Sequence, residues 1–222
     1  MKNKKEYNDI DLFINFIDWK EFSKKSEDLT EEFMSKYKNF IDWKFISARN
    51  KMSEEFISNH EKFVDWDNVS KFQKLSDKFI QQYHSYLNWD NLCRYQVLSE
   101  FIINSFFKKV DLYMVCKYQV LSEDFIRRFK NIVNWNNISE FQDLSEDFIA
   151  EFKDDVNWHY ITSNQGLSLE FISKFKNYVS WSYISEHYIL TPRFIKEHKN
   201  EIDWAKFKSN KLFDAIIDNI KE

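Results

Sequence analysis

The residues able to do chemistry are few, and their spacing suits little of it. Cys93 and Cys116 stand 23 residues apart. Two thiols can form a disulfide, a redox couple or half of a metal site. The histidines are His60, His84, His159, His187 and His198, and they form neither an HExxH pattern nor a Cys/His zinc spacing. Gly166 is the single glycine. That excludes the familiar glycine-rich phosphate loops and the nucleophile elbow, each of which needs several. Carboxylates are plentiful but cluster where helices should begin, as at Glu123 and Asp124, where capping and the helix dipole account for them. The expectation is no catalytic residue, no metal and no cofactor: a protein that is not an enzyme.

The elements that must hold these residues are helices. Pro192 is the only proline beside that single glycine in 222 residues. A chain rich in strands needs many turn residues with positive or fixed φ. Hydrophobic residues at 43% and charged residues at 31% suit a folded chain rather than a disordered one. The net charge of -4 provides no strong basic field for nucleic acid. No apolar run approaches the ~20 residues of a membrane span, so no membrane partner is expected. The basic start, from Met1 to Phe13, has no apolar stretch behind it. A reducing, cytoplasmic setting is expected.

The helices repeat. Tryptophans at Trp19, Trp43, Trp66, Trp89, Trp135, Trp158, Trp181 and Trp204 step by 23 residues, with one step of 24 and one double step whose missing member is Leu112. Within one repeat, Phe125, Ile126, Phe129 and Val133 form one face of a helix A of about three turns. Trp135, Ile138, Ser139 and Gln142 form one face of a helix B of about two turns. Helix A should start at the caps Thr30, Ser53, Ser76, Ser99, Ser122, Ser145, Ser168 and Thr191. Helix B should start at Asp18, Asp42, Asp65, Asn88, Asp111, Asn134, Asn157, Ser180 and Asp203. Apolar pairs such as Val133 with Ile138 bracket the caps as hydrophobic staples.

The expected fold is all-α: an α-solenoid of about nine two-helix, 23-residue repeats with a C-terminal capping helix. It reads as a single repeat domain over residues 1–222, with an N-terminal tail at 1–8, repeats at 9–210 and the capping helix at 211–222.

The register assigns the chemical residues. Cys93 and Cys116 hold the slot of Ser70, Ser139, Thr162 and Ser185, a small residue where helix B crosses its neighbour. Stacked slots about 10 Å apart are too distant for a disulfide, whose Cα atoms must lie within about 7 Å. His60 and His198 take the position of Phe129 and should line the core or its edge.

The phrase Leu-Ser-Glu-Asp-Phe-Ile, followed by Val-Asn-Trp and Ile-Ser, is clearest at Leu121–Gln142 and Leu144–Gln165. It resembles tandem repeats of uncharacterised bacteriophage and giant-virus proteins. The resemblance spans almost the whole chain and implies a viral origin, with no activity attached to the repeat itself.

Three columns are candidate surfaces. Gln73, Gln96, Gln119, Gln142 and Gln165 end helix B, where a side chain can cap the next repeat's loop or open carbonyls. Lys130, Lys153, Lys176 and Lys199 form a row on helix A able to meet phosphates. The two positions after each tryptophan should point outward, and there Phe45, Tyr113, Met114, Tyr160 and Tyr183 are apolar or aromatic, as protein contacts often are. Repeat five, the least regular, with Phe101, Phe107 and Leu112 at variant positions, is a further candidate over residues 101–114. The expected function is a non-enzymatic scaffold that binds another protein, an inhibitor of a host defence factor if the viral resemblance holds. The alternatives are a nucleic-acid-binding solenoid using the lysine row, and a self-associating structural protein.

Overall fold

A two-turn helix is too short to stand alone and needs caps and neighbours. The computed structural model, which describes residues 10–210, supplies both. Eighteen short helices and no strand occur among the described residues, alternating as helix A and helix B. The expected tail at 1–8 and capping helix at 211–222 lie outside the described residues.

Every expected helix A cap is made. The hydroxyls of Thr30, Ser53, Ser76, Ser99, Ser122, Ser145, Ser168 and Thr191 each accept the N–H three residues on, at 3.1 to 3.2 Å. Helix B is capped by Asp or Asn side chains, as where Asn134 accepts from Asn137 N. Ser180 corrects the expectation, because it makes no side-chain cap bond. The backbone explains why. Helix A caps sit at ψ near 150°, as at Ser145 with 153°, whereas Ser180 sits at 98°. The longer Asp or Asn side chain reaches the helix at that angle, and a serine hydroxyl does not.

Helix A is shorter than three turns. Glu123–Arg128 is helical for six residues, and a tight turn follows, with Val133 N returning to Phe129 O at 3.0 Å. The tryptophan of helix B helps end it. Trp135 Nε1 donates to Lys130 O at 3.2 Å, taking a carbonyl that a continuing helix would use. The same bond, five residues back, is made by Trp19, Trp43, Trp66, Trp89, Trp158, Trp181 and Trp204.

Successive repeats are joined by apolar columns and by polar bonds that recur in register. Ile126 and Ile138 are fully buried, and Trp135 packs on Phe148 and Phe152 of the next repeat at 6.2 and 4.9 Å. Ser139 Oγ donates to Trp135 O at 2.7 Å and accepts Asn157 N of the next repeat at 2.9 Å. Ser70 and Ser185 repeat both bonds. The slot therefore needs a small group that can also relay a hydrogen bond. Cys93 occupies it, buried, with Asp111 N directed at its thiol, and burial pushes that thiol from 9.0 up to about 11. Glu123 Oε1 accepts Ser145 N, the cap of the next helix A, at 2.7 Å, and Glu31 and Glu146 act alike on Ser53 and Ser168.

The glutamine column reaches the opposite way from one expectation: it clamps the preceding repeat. Gln142 Nε2 donates to Cys116 O at 2.6 Å and Gln119 O at 2.8 Å, while its Oε1 accepts Leu121 N at 2.9 Å. Gln73 makes the same three bonds to Ser47 O, Asn50 O and Met52 N. Tyr188 and Asn210 substitute in later repeats by donating to the equivalent pairs of carbonyls. A clamp points backward because the preceding helix B end, already folded over its own turn, exposes open carbonyls to it.

The chain is an all-α tandem-repeat solenoid. It separates into two compact units, Met1–Met114 and Val115–Glu222, and the division falls inside the helix Leu112–Tyr118.

Candidate interaction surface

The residues after the tryptophans divide into two classes. The first position faces solvent, and Tyr113 is 47% exposed there. The second position leans on the preceding repeat, which corrects the expectation that both point outward. Asn68 and Asn91, at that position, donate to Lys44 O and Asp67 O of the repeat before, and Tyr183 Oη donates to Ser163 O at 3.1 Å. Phe45, Met114, Tyr160 and Tyr183 are accordingly half-buried. Phe107, also half-buried, sits in the turn after helix A in the column of the lysine row, so the structure does not bring it onto the face of the others.

The lysine row lies at the turns from helix A to helix B in the second unit. Lys130, Lys176 and Lys199 are exposed and Lys153 is half-buried. The row is partly neutralised. Lys153 pairs with Asp154, and its pKa is raised by that hydrogen bond. Lys176 meets Glu201 at 3.0 Å, and the same bond lowers the Glu201 pKa.

A further set of exposed apolar side chains lies at the turns from helix B to the next helix A. In the first unit Phe72 and Tyr95 end successive helices B, 52% and 44% exposed. Val97 in the following turn is 96% exposed, and Phe101 on the next helix A is 58% exposed. Lys71 Nζ lies 4.9 Å from the Phe72 ring and 4.6 Å from the Tyr95 ring, bridging the two repeats, and Arg94 lies 5.3 Å from Tyr95. Such contacts hold a flexible cation in place at about 0.5–1 kcal/mol each. The second unit begins alike, with Val120 exposed and Lys117 at 5.6 Å from Tyr118 and 5.1 Å from Phe141. It then turns acidic at Asp143 and Asp147, both exposed. The spacing held the signal for this edge. Phe72, Tyr95, Tyr118 and Phe141 recur at 23 residues, as do Val97 and Val120.

Two of the histidines pack among the core aromatics. His60 and His198 are buried, as expected from their register, and stack on Trp43 and Trp181 at 5.6 and 5.2 Å. Each ring touches a serine hydroxyl of the preceding repeat, Ser35 and Ser173. Among the described residues no group of three His, Cys, Asp or Glu is placed to hold a metal ion, and no helix is long and apolar enough to cross a membrane. The fold and the surface thus define a class, a helical-repeat solenoid with an exposed aromatic edge. No family model, curated protein or solved structure matches the chain.

Proposed function

We propose that the chain is a non-enzymatic scaffold that binds another protein through the helix B to helix A edge of its first unit. One observation carries this reading: Tyr95, Val97 and Phe101 expose large apolar side chains within a single turn and its flanks. Soluble chains rarely leave such residues together in water without a partner to cover them. The fold does not demand them, since Asp143 and Asp147 stand at the positions of Val97 and Phe101 in a turn of the same build. The partial neutralisation of Lys153 and Lys176 weighs against the lysine row as a nucleic-acid track. The resemblance to bacteriophage and giant-virus repeats supports a narrower reading, an inhibitor of a host defence factor acting in the host cytoplasm.

The test is affinity purification of the wild-type chain and of Val97→Ser/Phe101→Ser from the cells that express it. The proposal expects a stoichiometric protein that the double variant loses. Equal recovery with both chains, recovery of nucleic acid alone, or a partner that proves to be the chain itself would each overturn it.

A further inference from the structure

The charges around the exposed edge identify the chemistry of its partner. Across three consecutive repeats of the first unit, the outward positions of helix B and its turn hold Arg49, Lys51, Lys71, Lys74 and Arg94, and the next helix A adds Lys78. Lys51, Lys74, Lys78 and Arg94 are exposed. Two carboxylates of the same edge, Glu54 and Asp77, are half-buried and engaged by the next repeat. Glu54 accepts both the N–H and the hydroxyl of Ser76, and Asp77 accepts the Ser99 hydroxyl. Glu27 and Glu55 are exposed, and Glu27 is paired with Arg49 at 2.9 Å. The outer surface is therefore a cationic strip around Phe72, Tyr95, Val97 and Phe101, on a chain whose net charge is -4.

Two features separate the possible occupants. Nucleic acid would neutralise the cations, but base stacking needs an open ring face. Here Lys71 and Arg94 lie over the Tyr95 ring, and Lys71 over Phe72. Val97, the most exposed side chain of the edge, is aliphatic and has no ring to stack on a base. A protein segment that mixes carboxylates with apolar side chains satisfies both needs. Its carboxylates would meet Lys71, Lys74, Lys78 and Arg94, and its apolar groups would cover Val97 and Phe101. Lys71 lies over two rings of adjacent repeats, which steadies it for such a carboxylate.

We infer that this edge of the first unit recognises an acidic, apolar-containing segment of its partner protein; the inference rests on the protein-binding reading above. The cations would also speed encounter and make association salt-dependent.

The experiment uses the full chain and three labelled probes: a short peptide mixing Glu and Asp with Leu and Phe, the same peptide with Lys replacing its acids, and a single-stranded oligonucleotide. The acidic peptide is expected to bind, to weaken as salt rises, and to lose about tenfold or more in affinity against Lys71→Glu/Lys74→Glu/Arg94→Glu. These side chains lie on the surface, and a circular dichroism melt of the triple variant confirms its fold. Equal binding of the two peptides, tighter binding of the oligonucleotide, or an unchanged affinity in the triple variant overturns the inference. The two proposals fail separately. If the purified partner is lost with Val97→Ser/Phe101→Ser but kept with the charge-reversed variant, protein binding stands and acidic recognition falls. If Val97→Ser/Phe101→Ser keeps the partner as well, both fall.

Discussion

The turn from Tyr95 to Phe101 in the first unit and the turn from Phe141 to Asp147 in the second have the same inner build. Gln96 and Gln142 each donate to two carbonyls of the preceding repeat. Leu98 and Leu144 are buried, and Ser99 and Ser145 cap the following helix at 3.2 Å. Their outer residues differ: Val97 against Asp143, and Phe101 against Asp147. Gly166 holds the same turn position two repeats after Val120, with nothing within 4 Å of where a Cβ would stand. The inner residues thus carry the fold, and the outer ones are free to vary. Leaving a valine in water forgoes about 1.5 kcal/mol that burial would release, so its placement at 97 calls for a reason outside the fold.

Several substitutions can break or sharpen that contrast. The largest effect belongs to the clamp. Gln142→Leu strands two buried carbonyls and one N–H, and about 3 kcal/mol of second-unit stability should be lost in a urea melt. Asp143→Ala, its neighbour in sequence, should cost less than about 0.5 kcal/mol. Equal costs for the two would dissolve the distinction between inner and outer positions.

Next comes the hydroxyl relay. Ser139→Ala removes the acceptor of Asn157 N and should cost about 1–2 kcal/mol on the same assay. The relay's thiol version in the first unit responds to pH. The Cys93 thiol titrates at about 11 when folded against 9.0 when exposed. Its contribution is therefore complete below pH 9 and declines as pH rises toward 11, because the unfolded chain releases its proton first. Urea midpoints at neutral and alkaline pH should show a steeper alkaline loss for wild type than for Cys93→Ser, and identical slopes would refute this assignment. The smallest stability effect is expected at the edge. Val97→Asp/Phe101→Asp should change the melt by under about 0.5 kcal/mol while abolishing partner capture.

The sequence revealed what the period controls. Helix identity, the serine and threonine caps and the small-residue slot all follow from spacing, because each is repeated wherever the backbone repeats. Three features were hidden for physical reasons. Ser180 reads as a cap but fails as one, since the angle that demands a longer side chain belongs to the helix B turn. The second position after each tryptophan looks outward on a lone helix wheel, yet Tyr183 and Asn91 bond the preceding repeat, whose placement no single helix reveals. Val97 and Val120 could be read as a column, and Phe101 as an exception in repeat five, but not as one surface, because exposure depends on how the next helix A leaves the turn. Of the apolar residues chosen from the sequence, Tyr113 is exposed, whereas Phe45, Phe107, Met114, Tyr160 and Tyr183 are half-buried.

The central claim is that the two turns differ in function while sharing a fold. A photo-crosslinking residue placed at 97 in one chain and at 143 in another tests it most directly, each expressed in the native cell. The account predicts a discrete protein adduct from position 97 and none from position 143. Matching adducts from both positions, or none from position 97, would contradict it.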